Sequence, residues 1–180
     1  MRRAVFLDRD GVINRAFVLE GTPIPPKDLN DVEILFGVKE AIKLLNRGNF
    51  EIVVATNQPD VARGRVSKES VEAINSYLGK ELSISHFFTC YHDDSDGCDC
   101  RKPKPGLLLD AARNLNLDLE ESFLVGDRWR DIAAGQAAGC SSFFINYEYK
   151  EKSPLLPFTQ VSSLIEATRL ILENPHDSFS

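Results

Sequence analysis

Long apolar runs are missing from this chain. No stretch approaches the roughly 20 residues that a helix needs to cross a bilayer, which excludes a helical membrane span. Basic runs are missing too. Against 27 Asp and Glu stand 21 Lys and Arg, a net charge of −6. No Lys/Arg cluster with interleaved aromatics occurs, so neither nucleic acid nor an anionic membrane is expected as a partner. No kinase P-loop, repeat or low-complexity tract is found. Met1-Arg2-Arg3 leads straight into a short strand-like run rather than the long h-region of a signal peptide, and the expectation is a cytoplasmic protein. Cysteine is scarce, with four in 180 residues, and three of them (Cys90, Cys98, Cys100) fall within eleven positions beside His92.

What is present is an ordinary globular composition, 43% hydrophobic and 27% charged, in a length that fits one domain with a proper core. Apolar, β-branched-rich runs recur at Ala4–Leu7, Ile52–Ala55, Phe87–Cys90, Phe123–Val125 and Phe143–Ile145. Helical spacing lies between most of them: Val38, Ala41, Ile42 and Leu45; Val71, Ile74, Leu78 and Leu82 behind an N-cap Ser67; Leu108, Ala111, Ala112 and Leu115; and 133–138, closed by Gly139. A terminal helix is expected over about 161–173, on Val161, Leu164, Ile165 and Thr168, and Pro175–Ser180 is expected to fray. The alternation predicts an α/β fold, a parallel sheet covered on both faces. Residues 20–31, with three prolines, and 91–106 read as loops. Neither is long enough for an independent domain, so no separate lid is expected.

Four polar clusters fall at or just beyond strand ends: Asp8-Arg9-Asp10-Gly11, Thr56-Asn57-Gln58, Arg101-Lys102-Pro103-Lys104-Pro105, and Gly126-Asp127-Arg128-Trp129-Arg130-Asp131. Strand ends on one edge of a parallel sheet converge. An Asp-x-Asp-Gly alone is equally a structural turn; four such clusters in order point to a site. Asp8, Asp10 and Asp127, with Asp131 one helical turn on, suit a hard divalent cation such as Mg²⁺. Lys102 and the backbone amides around Thr56 suit phosphate oxygens. A carboxylate can attack phosphorus once a cation screens the repulsion between anions, and a second can protonate the leaving oxygen and later activate water.

A separate constellation is Cys90, His92, Cys98 and Cys100, three thiolates and an imidazole, the closed set of a structural zinc site. The alternative is a loop of free thiols. Cys140 stands apart and reads as a core residue, and His86 and His176 read as surface or packing residues.

The four clusters resemble the four motifs of the haloacid dehalogenase superfamily of phosphatases, in order over residues 8–131. Within it the chain resembles the capless group of histidinol-phosphate and heptose-bisphosphate phosphatases, which also carries a Cys-x-His…Cys-x-Cys zinc loop directly before Arg-Lys-Pro. The resemblance implies one three-layer, Rossmann-like, doubly wound phosphatase domain over residues 1–180, without a cap and with a zinc-binding loop at about 90–100. It implies Asp8 as nucleophile and Asp10 as general acid and base. Thr56 and Asn57 would lie at the transferring phosphoryl group, and Lys102 would neutralise that group and orient Asp8. Mg²⁺ would be held by Asp8, the Asp10 backbone carbonyl and Asp127, with Asp131 behind them through water. Asn57, Gln58, Arg101 and Arg128, with the loop after Gln58, would grip a sugar phosphate. Where the family has Ser-Gly after that motif this chain has Pro59-Asp60, and where it has Lys after the fourth-motif Asp this chain has Arg128, a cation suited to a second phosphate. Trp129 would pack at the rim or stack on a sugar. The implied reaction is Mg²⁺-dependent removal of the 7-phosphate of D-glycero-D-manno-heptose 1,7-bisphosphate by a monomer. Histidinol phosphate is the alternative substrate, with another phosphosugar, a DNA 3′-phosphate or a non-enzymatic zinc-stabilised binding module behind it.

Overall fold

A computed structural model describes residues 1–173; the tail Pro175–Ser180, and His176 with it, lies outside the described residues. In chain order the elements are β1 (Arg2–Leu7), β2 (Phe17–Leu19), β3 (Thr22–Ile24), α1 (Val38–Arg47), β4 (Glu51–Asn57), α2 (Lys68–Leu82), β5 (His86–Cys90), α3 (Gly106–Leu115), β6 (Leu117–Gly126), α4 (Trp129–Ala138), β7 (Ser141–Ile145), β8 (Thr159–Val161) and α5 (Leu164–Leu172). Six of the strands form one parallel sheet in the order β5-β4-β1-β6-β7-β8.

Ala4, Val5, Phe6 and Leu7 are all fully buried because each face of β1 has its own helix layer. Val5 and Leu7 join the apolar stripes of α1, α2 and α5 in one core, and Ala4 and Phe6 meet Leu107, Leu108 and Ala111 of α3 and Ile132 of α4 in the other. Burying a side chain such as Phe6 contributes about 2–3 kcal/mol. From β1 the chain winds outward through β4 to β5, then returns to place β6 on the other side of β1. The ends of β1, β4 and β6 therefore open into the crevice where the winding reverses, the position where such sheets take ligands.

Three local readings are corrected. The third interior strand begins at Leu117, well before Phe123, because its pairing with β1 shifts register between Arg3 and Val5. Ser122 bridges the irregularity, accepting the Ala4 amide at 2.9 Å and donating to the Asp118 carbonyl. The terminal helix starts at Leu164 rather than 161: Ser163 caps it, accepting from the Glu166 amide at 3.3 Å, and Val161 ends β8 instead. Val161 is buried in either case, which is why helical spacing seemed to include it. The proline-rich segment 20–31 is not all loop; β2 and β3 form an antiparallel hairpin through Glu20-Gly21. Its signal is weak in sequence because its strands are short and largely exposed.

Candidate active site

The crevice is a cleft of about 550 Å³ lined by parts of all four sequence clusters and by the β2–β3 hairpin. At its floor, Asp8 leaves the end of β1 and Lys102 reaches it from the loop before α3. Lys102 is buried, and its Nζ makes three contacts: Asp8 Oδ1 at 2.7 Å, Asp131 Oδ1 at 2.7 Å and the Ala55 carbonyl at 2.6 Å. The second Asp131 oxygen accepts the Arg128 amide at 2.9 Å, holding the first turn of α4. A Cβ on Gly126 would come within 2.2 Å of Asp131 Cβ, so only glycine lets that carboxylate sit over the end of β6.

Asp8, Asp127 and Asp131 bring carboxylate oxygens within 4.8 Å of one another. Burial is the main reason the Asp8 carboxyl is pushed up to about 7; Lys102 opposes this while Asp131 and Asp10 add to it. Burial also raises Asp127 well above the ordinary carboxylate range, with Asp8 and Asp131 adding repulsion. One buried lysine among three acids leaves the floor short of positive charge. Asp127 Oδ1 is buried with no hydrogen-bond partner among the described residues. A converged set of hard oxygens with an unpaired acceptor fits a hard divalent cation.

Asp10 lies beside this floor but outside the oxygen cluster. Oδ1 accepts from Asn14 Nδ2 at 2.9 Å and Arg9 Nε at 3.2 Å; Oδ2 accepts from Gln58 Nε2 at 2.8 Å and Arg9 Nη2 at 3.2 Å. Arg9 has no exposed surface and also donates to Asn75 Oδ1 at 2.9 Å, so the plane of the Asp10 carboxyl is fixed from beneath. Gly11, at φ +90°, turns the chain immediately after; a Cβ there would lie 2.0 Å from Asp127 Oδ2. Thr56 is buried at the end of β4 and accepts from Gln58 at 2.9 Å. Asn57 and Lys102 exchange amide bonds, Asn57 Nδ2 to the Lys102 carbonyl at 3.0 Å and the Lys102 amide to Asn57 Oδ1 at 3.1 Å.

Of the residues expected to bind substrate, Asn57, Arg101 and Arg128 line the cleft, whereas Gln58 is buried with its amide turned to Asp10 and Thr56. The arginines reach the cleft already paired. Arg101 Nε and Arg130 Nη1 share Asp94 Oδ1 at 2.8 and 3.1 Å, and Arg128 meets Glu151 at 3.0 and 2.5 Å. Arg63 is held by both Asp93 oxygens at 2.9 and 2.6 Å and, with Arg65, lies 3.4 Å from Asp60. Trp129 does not line this cleft; its ring lies under Lys152 Nζ at 3.7 Å beside a smaller hollow with Gln136 and Leu155. The sugar-stacking reading of Trp129 is set aside.

Beside the cleft, Cys90 at the end of β5, His92, Cys98 and Cys100 bring their donors together. The sulfurs lie 3.2, 3.5 and 3.7 Å apart, and His92 Nδ1 is 3.3 and 3.6 Å from Cys100 and Cys90. All four cysteines are free thiols. A zinc tetrahedron with bonds of about 2.3 Å has edges of about 3.8 Å, so the donor set fits zinc with little adjustment. The loop that follows carries Lys102 to the floor and Arg101 to the cleft wall.

Sequence reasoning missed Arg9, Tyr147, Tyr149, Glu151 and Asp94. The tyrosines were findable, since Asn146-Tyr147-Glu148-Tyr149 is a fifth polar cluster directly beyond a strand. Arg9 was hidden as the middle of Asp-x-Asp, Glu151 matters through Arg128, 23 residues away, and Asp94 joins the nearby Arg101 to the distant Arg130.

A doubly wound sheet with these acids and a lysine at its switch point is the architecture of a phosphate-processing hydrolase. The family model for haloacid dehalogenase-like hydrolases matches residues 27–139, and the chain belongs to that family. It is 37% identical over 150 residues to the D-glycero-beta-D-manno-heptose-1,7-bisphosphate 7-phosphatase of Vibrio cholerae serotype O1, covering 76% of each chain. It is 33% identical over 149 residues to the enzyme of the same name from Escherichia coli strain K12, covering 75% of this chain and 74% of that one. Among solved structures it is similar to the D,D-heptose 1,7-bisphosphate phosphatase of B. bronchiseptica complexed with magnesium and phosphate, with a TM-score of 0.83 and 29% identity over 95% of this chain and 98% of that one.

Proposed function

We propose that this chain removes the 7-phosphate of D-glycero-D-manno-heptose 1,7-bisphosphate in a Mg²⁺-dependent reaction through an aspartyl phosphate on Asp8. The observation that carries the reading is the floor: Asp8 held at 2.7 Å by a buried lysine, beside an Asp127 oxygen that is buried and unpaired. Asp8, the Asp10 carbonyl and Asp127 would hold Mg²⁺, with Asp131 behind them. When bound, the cation offsets the repulsion between the Asp8 carboxylate and the phosphoryl oxygens.

Lys102 holds Asp8 Oδ1, leaving the other oxygen free, and presents positive charge to the phosphoryl group. The free Asp8 oxygen attacks phosphorus, the P–O bond to the sugar breaks, and Asp10 delivers a proton to the leaving oxygen. Asp10 then takes a proton from water, which attacks the aspartyl phosphate and releases phosphate and the Asp8 carboxylate. Arg9, Asn14 and Gln58 keep Asp10 in line for both transfers, so Gln58 is a positioning residue in this scheme rather than a substrate contact. Asn57 clasps the Lys102 backbone and serves the same end. Arg101, Arg128 and Arg130 would receive the distal phosphate, and the Cys90, His92, Cys98 and Cys100 site would hold a structural zinc that fixes the Arg101-Lys102 loop.

A second reading, histidinol phosphate, is favoured by Asp60 and Asp94 at the cleft, which a cationic amine would seek. Five arginines on the same lining tip the balance to a bisphosphate. Comparing kcat/KM on the two substrates decides it: higher efficiency on histidinol phosphate overturns the heptose reading. Free thiols grouped for a metal suit a reducing cytoplasm, where we place the protein as a monomer. Metal analysis and light scattering on the purified chain test the zinc and the monomer.

A further inference from the structure

Beyond β7 the chain runs Asn146-Tyr147-Glu148-Tyr149-Lys150-Glu151 alongside the site, against Gly11, Asp127 and Arg128. Asn146 Oδ1 accepts the Glu148 amide at 2.9 Å and Glu148 sits at φ +56°, a turn that sets the two tyrosine rings face to face with centroids 5.6 Å apart. From this stack, Tyr147 donates to the Gly11 carbonyl at 3.0 Å and Tyr149 donates to Asp127 Oδ2 at 2.8 Å. The next residues tie the strap down: the Lys150 amide bonds the Gly21 carbonyl at 2.9 Å, and Glu151 holds Arg128. The strap is thus anchored to the Asp10-Gly11 turn, the β2–β3 hairpin and the start of α4.

We propose that Tyr149 is a positioning residue for the cation site, holding the Asp127 carboxylate so that its other oxygen faces the metal; this rests on reading Asp127 as a Mg²⁺ ligand. Asp127 has two oxygens with different fates. Oδ2 is fixed by the phenol and pressed against Gly11, and Oδ1 is buried and unpartnered. A neutral donor is suited to this task. It fixes one oxygen without placing a positive charge beside the cation, as a lysine or arginine would. Partners of this kind set both the angle and the availability of a ligating carboxylate. Tyr149 touches neither substrate nor the reacting phosphorus in this scheme, so its effect should appear in metal binding.

The test is calorimetric titration of the full chain with Mg²⁺, in phosphate-free buffer and without chelator so that any zinc stays in place. Tyr149→Phe keeps the ring and its stack and removes only the hydroxyl. It is expected to raise the Mg²⁺ Kd about 10-fold and to shift the Mg²⁺ activation curve by the same factor. The metal-free Tm should fall by no more than about 2–4 °C, the worth of one hydrogen bond in a chain of this size. A Kd within twofold of the parent overturns the inference. An equal rise in Kd for Tyr147→Phe, which loses the bond to Gly11 and nothing on Asp127, also overturns it, since the strap as a whole would then be responsible. Asp127→Asn separates the inference from its premise: if it leaves Mg²⁺ affinity intact, both fall, and if it abolishes binding while Tyr149→Phe changes nothing, only the role of Tyr149 falls.

Discussion

The floor of the cleft and its rim are both crowded with charge, yet they are built on opposite plans. On the floor, three acids surround one lysine, all four side chains are almost wholly buried, and the balance is negative with an acceptor to spare. At the rim, Arg101 and Arg130 share Asp94, Arg63 joins Asp93 and Asp60, and Arg128 joins Glu151. The charges of the floor are left unbalanced by the described residues around it. The rim is already neutralised by partners from the chain itself. Chemistry therefore belongs to groups whose charges cannot be satisfied internally, and selectivity to pairs that can be exchanged at low cost.

The largest effect should come from the floor. Asp8→Asn keeps the shape and removes the proposed nucleophile, and hydrolysis of both the heptose bisphosphate and a simple aryl phosphate should fall by about 10⁴-fold or more. A loss of tenfold or less would mean that another group attacks phosphorus. Next is Gly11→Ala. Its φ of +90° strains any side chain, by about 1–3 kcal/mol, and the added Cβ would meet Asp127 Oδ2. Both a lower Tm and weaker Mg²⁺ activation are expected; a fall in Tm with Mg²⁺ activation unchanged would show that the Asp127 carboxylate need not stay where it is.

Protonation tests the negative balance of the floor directly. Asp8 takes up a proton near pH 7 in the folded, metal-free chain and near its ordinary value of 3.8 once unfolded. Between those values the folded state binds more protons, so its stability falls as pH rises. The raised Asp127 carboxyl acts in the same direction. Mg²⁺ held by these carboxylates would take the place of those protons, and the rise in Tm on adding it should be larger at pH 8 than at pH 6. An equal rise at both pH values would place the cation elsewhere.

The two regions also differ in how far they could be read from sequence. Asp8, Thr56, Lys102 and Asp127 stand at fixed offsets from apolar runs, so once the sheet is parallel its topology alone brings them together. The same logic found the zinc-type cluster, whose ligands lie within one short loop. The turn of the Gln58 side chain toward Asp10 was not legible, because its neighbours in sequence, Asn57 and Pro59, face the cleft. The hairpin and β8 were missed because three-residue strands carry too little periodicity. The rim was legible only as a set of arginines. Several of their acids come from distant parts of the chain: Arg63 and Asp93 are 30 residues apart, Arg130 and Asp94 are 36 apart, and Arg128 and Glu151 are 23 apart.

The smallest effect, and the one most informative about the rim, is expected from Asp94→Asn. The side chain of Asp94 is 56% exposed and binds two arginines, Arg101 and Arg130. Exposed ion pairs of this kind are worth about 0.2–1 kcal/mol each. An incoming distal phosphate must compete with Asp94 for these guanidinium groups. Removing its charge should lower KM for the bisphosphate by about two- to fivefold, leave kcat and the KM of an aryl phosphate unchanged, and steepen the salt dependence of KM. If KM for the bisphosphate rises instead, Asp94 is holding the arginines in place for the substrate, and the rim is as pre-organised as the floor. If the gain appears equally with the aryl phosphate, the freed arginines act on the transferred phosphate, and the division between floor and rim fails.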